Sequence, residues 1–538
     1  MFSKVLCGNI YGITAQIVSV EVDAQSGIPC FEMGGILSAE VREASKRVMV
    51  ALKNSRFQMR PQRITINISP ANMPKSGTGF DLAIAVGAMC ANGMVDEKML
   101  SDTLIMGELG LDGKLHPVKG VLPCIIEAAK HGIARCIVPA DNAFEGAVVD
   151  KITVYGAESL KETADFLNGR KEALKKIKHI DYDNIIKAYK NNGTYKSDNT
   201  YKSNKYSKDN KYNEDGTDFA EVAGQEAAVR ASMIAAAGGH NILYVGAPGS
   251  GKTMMAKRIV NVLPDLSFEE SLEISEIYSI AGLLDSSAGL ITRPPYRNPH
   301  HTMTAKALIG GGKIPSPGEI TLANRGVLFL VELTEFQAST LDAMRQPLEE
   351  KSITLSRCAN TYVFPAHFML VAAMNPCKCG FFPDRNRCTC TESEIKRYNA
   401  KISRPLMDRF DICVQVSSIK YNKFIDISDK NAPKSGSEKS TENSKRLSSE
   451  VIREKVEQAR EIQKKRGILN SELTNSEIKK YCRLGAEEKL IMEKAFEKFS
   501  LTARGYYKIL KVARTIADID GSKEIKSAHI GEAVAYRS

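Results

Sequence analysis

The segment Gly246-Ala247-Pro248-Gly249-Ser250-Gly251-Lys252-Thr253 fits the pattern G-x-x-x-x-G-K-[ST]. An apolar run at 242–245 leads into it and a helical pattern at 254–263 leads out, which is the strand-loop-helix context that the pattern requires. Glycines let the backbone wrap a β-phosphate with its N–H groups inward. Lys252 would bring a mobile positive charge to the β and γ oxygens of ATP, and the Thr253 hydroxyl would ligate Mg²⁺. Such a site is normally completed by a strand ending in an acidic pair, where Asp holds the metal's shell and Glu orients the attacking water. Here the strand reads Val327-Leu328-Phe329-Leu330-Val331-Glu332, with only the glutamate of the pair. An isopropyl group at 331 accepts no hydrogen bond from a metal-bound water. Mg²⁺ would rest on the phosphates, Thr253 and solvent, so hydrolysis is expected to suffer more than binding.

A second set of residues has metal-ligand character. Cys377-x-Cys379 and Cys388-x-Cys390 are separated by eight residues that include Gly380, Pro383 and Asp384. A short hairpin would bring the pairs together, and four thiolates suit tetrahedral Zn²⁺. The C-x-C spacing is tighter than the usual C-x₂₋₄-C, so four reduced thiols on an exposed loop stand as the alternative. Other cysteines, such as Cys90, Cys124 and Cys413, sit singly in apolar surroundings and read as reduced core residues.

These sites need scaffolds, and the chain of 538 residues is long enough for three or four domains at roughly 150 residues each. Its 43% hydrophobic and 25% charged residues exclude a wholly disordered, collagenous or membrane-embedded chain. Twelve cysteines are too dilute for a disulfide scaffold. With no signal-like start and no apolar run of roughly 18 to 20 residues, a cytoplasmic protein without membrane contact is expected. The net charge of +11 is compatible with a polyanion partner.

Two stretches lose all hydrophobic periodicity. From 187 to 217 the chain repeats Tyr189, Tyr195, Tyr201, Tyr206 and Tyr212 among Lys, Asn, Ser and Asp, which reads as a flexible tether, with stacking on single-stranded nucleic acid as the alternative. A second tether spans 421–448. The blocks between them differ in class. The first is α+β, with a strand at 64–68, an apolar helix at 80–94 and a hairpin signal at Asp112-Gly113. The second is α/β, with continuously apolar strands at 242–245, 327–331 and 368–373 as in a buried parallel sheet. The last is helical. The expected boundaries are 1–169, a linker at 170–217, an ATPase core at 218–420, a linker at 421–448 and a lid at 449–538.

Further motifs agree with one family. They are Asn298-Pro299-His300-His301-Thr302, Pro317-Gly318-Glu319-Ile320, Arg345-Gln346-Pro347-Leu348-Glu349, Asn375-Pro376-Cys377, Leu406-Met407-Asp408-Arg409 and Ala513-Arg514-Thr515-Ile516-Ala517-Asp518. In these the chain resembles the ComM/YifB family of magnesium-chelatase-like AAA+ ATPases, over nearly all its length outside the tethers. The resemblance implies a ring, hexameric, with nucleotide between neighbouring subunits. It makes Asn375 the polar sensor of the γ-phosphate and attacking water, or else a buried turn residue before Pro376. It makes Arg409 the finger reaching a neighbour's γ-phosphate, or else the partner of Asp408 or Asp411 in a surface ion pair. Arg504 would be the lid arginine sensing phosphate in cis, while Lys508, Lys511 and Arg514 on the same helical face read as a solvated stripe, with a nucleic-acid contact as the alternative. Val331 departs from the family pattern, as do Arg404 and Lys351 at usual glycine positions.

The first block resembles the Lon-protease-like fold. Pro117-Val118-Lys119-Gly120 is similar to the stretch that carries the protease's lysine, and Pro74-Lys75-Ser76-Gly77 to the one preceding its serine. The nucleophile position is Gly79 and the lysine position Leu122, with Ser76 and Lys75 merely adjacent in sequence, so a non-catalytic assembly or docking module is expected. The family implies an ATP-driven motor on single-stranded or branched DNA, performing branch migration or helicase action in recombination or natural transformation beside other recombination proteins. Gly310-Gly311-Gly312 with Lys306 and Lys313 would form a DNA-facing hairpin, or else an ordinary surface insertion. A chelatase-type motor remodelling a protein partner, and an ATP-binding scaffold with little turnover, are the other readings.

Overall fold

The computed structural model describes residues 1–192, 218–222, 224–285, 289–312, 315–357, 360–417 and 448–537. They form two compact units. The first holds the described residues of Met1–Lys211, Ser267–Thr292 and Cys358–Val363; the second holds those of Tyr212–Leu266, Arg293–Arg357 and Phe364–Ser538.

The first unit is built on a mixed eight-stranded sheet. Its strands are β1 (Phe2–Tyr11), β2 (Thr14–Gln25), β3 (Cys30–Gly34), β4 (Arg63–Ser69), β5 (Thr103–Ile105), β6 (Arg135–Pro139), β7 (Thr153–Ala157) and β8 (Lys175–Lys176), in the order β8-β7-β6-β5-β1-β2-β4-β3. Alternation decides which face is inside: Val18, Val20 and Val22 of β2 and Ile64, Ile66 and Ile68 of β4 are all buried. The helix Asp81–Ala91 is buried along its whole length, which explains why its sequence is apolar on every side. It packs so closely that a Cβ at Gly87 would lie 2.7 Å from Val22 Cγ2. The hairpin at Asp112-Gly113 is present, with Glu108–Leu109 paired to Leu115–His116.

Two boundaries differ from the sequence reading. Residues expected to begin the linker are folded: β8 pairs with β7, and the helix Tyr182–Asn192 buries Ile185 against Leu122, Val148 and Leu290. The buried apolar residues of this stretch, Leu174, Ile177 and Ile185, are too sparse among polar ones to give a periodic signal readable from sequence. The Tyr and Lys repeat beyond 192 and the second tether at 421–447 lie outside the described residues. The helix Phe268–Ala281, expected in the ATPase core, belongs to the first unit, where Ser279 Oγ accepts from the Leu122 N–H (3.4 Å) and donates to Glu145 (2.6 Å).

The second unit is α/β with a helical C-terminal part. Its five strands, β9 (Ile242–Gly246), β10 (Tyr296–Arg297), β11 (Val327–Leu330), β12 (Met369–Met374) and β13 (Ile412–Val416), are all parallel, in the order β10-β11-β12-β9-β13. The lid helices are Ser449–Arg466, Asn475–Tyr481, Ala486–Lys498, Ala503–Ile519 and Ser527–Ala535. Sheet and lid share one apolar cluster, which runs from Ile242 and Val371 to Val456, Ala513 and Ile516. The expected solvated stripe is not solvated. Arg514 is 1% exposed and bonds Asp518 and the Ser522 and Lys523 carbonyls. Lys508 pairs with half-buried Asp411 at 3.0 Å, and Lys511 donates to the Ser471 carbonyl. Burial alone would raise Asp411, yet Lys508 and His240 hold it well below the ordinary carboxylate range. Among the described residues no helix is long and apolar enough to cross a membrane.

Candidate nucleotide-binding site

The glycine-rich loop leaves the C-terminal end of β9, where ligands of open parallel sheets bind. Gly249 (φ 74°) and Gly251 (φ 91°) take left-handed conformations with open space beyond their Cα atoms, and Gly251 caps the helix Lys252–Ile259. Gly246 is required for another reason: a Cβ there would meet the Val416 carbonyl at 2.3 Å. Lys252 Nζ donates to the Gly246 and Ala247 carbonyls (2.7 and 2.8 Å) and to Asn375 Oδ1 (3.1 Å). Burial lowers the proton affinity of Lys252, and the Glu332 carboxylate opposes this. Ser250 Oγ is buried without a hydrogen-bond partner. An unpartnered buried hydroxyl, glycine-only dihedrals and an ammonium held by its own loop's carbonyls fit a polyphosphate, whose charge would draw Lys252 off those carbonyls. Thr253 lies exposed in the first helical turn.

Beside the acidic end of β11 stands His301, a residue that sequence reasoning did not single out for this role. Val331 is half-buried against the sheet and lid cluster and offers no oxygen. Glu332 takes φ 55°, a left-handed conformation that costs a non-glycine residue about 1 kcal/mol. Its carboxylate lies 3.8 Å from His301 Nδ1, and the His301 ring in turn packs at a tilt against His300, centroids 4.1 Å apart, and meets the Phe336 ring edge-on. The signal was the His pair in the Asn298–Thr302 motif, but no sequence pattern links it to the end of β11. Asn375, just past β12, does meet Lys252, which brings the expected sensor and the phosphate loop together.

Arg409 and Arg504 converge on one carboxylate. Arg409 Nη2 lies 2.5 Å from Glu349 Oε2, and Arg504 Nη2 lies 2.9 Å from Glu349 Oε1. The expected alternative for Arg409, a pair with Asp408 or Asp411, is not what forms. Its Nε and Nη1 are buried and have no hydrogen-bond partner among the described residues. Glu349 closes the Arg345–Glu349 motif, on the short helix Arg345–Glu350.

The cysteine loop does gather its sulfurs. All four Sγ atoms lie within 4.8 Å of one another, with 3.3 Å for Cys377–Cys379, 3.5 Å for Cys379–Cys388 and 3.8 Å for Cys377–Cys388. Four ligands at the usual Zn–S length stand about 3.8 Å apart in a tetrahedron, so the donor set fits a thiophilic divalent metal. The Phe381 N–H brings the Cys379 thiol down to about 6, whereas burial pushes the Cys388 thiol up to about 11, so the cluster favours one thiolate beside thiols that a metal would have to deprotonate. Turns rather than strands connect the two pairs.

Elsewhere, Gly310–Gly311 pairs with Ser316–Pro317 as a small hairpin that follows exposed Lys306, while Lys313 lies outside the described residues. In the first unit Lys75 is 1% exposed and its Nζ donates to the Pro70 carbonyl, and Leu122 is buried core.

The family described as magnesium chelatase subunit ChlI matches residues 218–424, a second ChlI family model matches 20–142, and the ChlI C-terminal family matches 446–537. Competence protein ComM of Haemophilus influenzae is 37% identical over 530 residues, covering 98% of this chain and 96% of its own. YifB of Escherichia coli, an uncharacterized protein, is 37% identical over 528 residues, covering 98% and 95%. DNA repair protein RadA of Escherichia coli shares 27% identity over 144 residues, 24% of this chain and 30% of its own. Fold and loop together define a P-loop protein with a magnesium-chelatase-type AAA+ core. The chain belongs to the ComM/YifB family of magnesium-chelatase-like proteins.

Proposed function

We propose that this chain is an ATP-driven ring motor acting on single-stranded or branched DNA, in branch migration or unwinding during recombination or natural transformation. The observation that carries the reading is the match to a competence protein along 98% of the chain, with the phosphate loop intact. In this reading Gly246 to Thr253 bind the triphosphate, with Lys252 moving from its loop carbonyls onto the β and γ oxygens. Mg²⁺, held by Thr253 and the phosphates, would neutralise developing charge. Glu332 orients the attacking water and His301 holds Glu332. Asn375 reads the γ-phosphate.

Arg409 acts across the boundary to a neighbouring subunit of a homo-oligomer, proposed to be a hexamer. Arg504, which shares Glu349 with Arg409, serves as the lid arginine that senses phosphate in cis. Cys377, Cys379, Cys388 and Cys390 hold a structural Zn²⁺, and the Lon-like domain docks or assembles rather than cleaves. The test is steady-state Mg²⁺-ATPase turnover with and without single-stranded and branched DNA, on this chain and on Val331→Asp. Stimulation by DNA supports the motor. Turnover raised only by a protein partner favours a chelatase-type remodelling machine.

Val331 favours one further reading, an ATP-binding scaffold with little turnover. Tight ATP binding with turnover only in Val331→Asp would establish it.

A further inference from the structure

The cysteine loop touches the phosphate loop from two sides. Cys377 follows Asn375, which accepts from Lys252 Nζ at 3.1 Å, so the first sulfur is two residues from a contact to the loop's lysine. Gly380, at φ 85°, backs directly onto Pro248: a Cβ at 380 would lie 2.4 Å from Pro248 Cδ and 2.9 Å from Cγ. Pro248 is the third residue of the phosphate-binding loop.

The segment between has little else to hold it. Its backbone bonds are isolated turns, Gly380 to the Cys377 carbonyl, Asp384 to Phe381, and Arg387 and Cys388 to Asp384, and its exposed arginines add Arg385 over the Phe382 ring and to the Cys390 carbonyl, and Arg387 over the Phe381 ring. Its apolar support is a small cluster of Cys377, Cys388 and Ile395, backed by half-buried Phe381 and Phe382. The four sulfurs are therefore the main cross-link of the element that backs Pro248 and carries Asn375. A metal on them would fix that element, and without one its order rests on turns, a small core and solvent-exposed arginine contacts.

We propose that Zn²⁺ on Cys377, Cys379, Cys388 and Cys390 braces the phosphate loop through Gly380 and Asn375, so that metal occupancy sets nucleotide affinity. This rests on the zinc reading of the cysteine loop given above. The brace acts on binding by pre-organising Pro248 and Lys252, and the cysteines themselves do not touch nucleotide.

The experiment uses the full chain and measures two quantities: zinc per chain by mass spectrometry, and affinity for a fluorescent ATP analogue by anisotropy, since the chain has no Trp. Protein purified without chelator is expected to hold about one zinc per chain. Stripping the zinc should weaken nucleotide binding about tenfold, an effect of lost pre-organisation that re-addition of Zn²⁺ restores. Gly380→Ala keeps all four thiols, so it should retain zinc while pressing Pro248 and weakening binding. Pro248→Ala should weaken binding less in the Gly380→Ala background than alone, because the clash is gone.

One zinc per chain with unchanged affinity after stripping and in Gly380→Ala overturns the brace and leaves the zinc site standing. Zinc far below one equivalent, with none taken up on addition, overturns the zinc reading itself. Circular dichroism of Gly380→Ala separates a loop effect from misfolding.

Discussion

Val331 stands where a carboxylate would take a hydrogen bond from a metal-bound water, and the half-buried isopropyl group makes the end of β11 apolar on that side. Val331→Asp is therefore expected to raise kcat about tenfold or more with little change in nucleotide affinity, measured as ATPase turnover beside anisotropy. His301 is the complementary test. Its ring lies 3.8 Å from Glu332, so His301→Ala should lower kcat by about tenfold while leaving binding intact. Equal losses in both quantities would show that His301 only supports the fold. At this scale the phosphate loop was fully legible, because its chemistry is contiguous in sequence. Glu349 and the His301–Glu332 pair were not, because folding alone brings such distant positions together, and no local period marks them.

At the scale of elements, the short helix Arg345–Glu350 presents Glu349 to Arg409 and to Arg504 at the start of the lid helix Ala503–Ile519. Removing that carboxylate in Glu349→Ala leaves two like charges without their bridge. Turnover should fall about tenfold while the affinity of the phosphate loop holds, a split that a general loss of folding would not give. The helix Phe268–Ala281 carries a different expectation. Burial raises Glu276 to about 7, with Lys130 opposing and Glu273 and Glu127 reinforcing. The folded first unit thus keeps its proton where the unfolded chain has lost it, so this contribution is full below about pH 4.5 and fades as pH rises through 7. Glu276→Gln should flatten that decline and be more stable than the parent above pH 7, on the order of 2 kcal/mol by urea unfolding. Strands such as β4 and β9 could be read from alternation or continuous apolarity. The lid stripe misled, because Lys508, Lys511 and Arg514 look solvated by composition and find Asp411, Ser471 and Asp518 only after packing.

For the whole molecule, the proposed action on DNA would draw on phosphate contacts, for which the net charge of +11 and exposed Lys306 beside the Gly310–Gly311 hairpin are the candidates. Binding to single-stranded DNA should fall linearly on a log–log plot against salt, and Lys306→Ala should reduce the slope by about 0.7. A flat salt response would remove DNA as the substrate. Family and block order were legible because many short motifs agree. The division into units was not, because the residues of the first unit are recruited from separate parts of the chain. The helix Phe268–Ala281 makes that division matter in practice. It lies within the sequence of the AAA+ core but folds with the first unit, where Leu272 joins Leu122, Val148, Ile185 and Leu290. The chain is thus a weave rather than beads on a string. Cutting it at the polar tether would strip an apolar cover from one fragment and leave it bare on the other. Neither fragment is a natural unit for expression, exchange between proteins or independent inheritance.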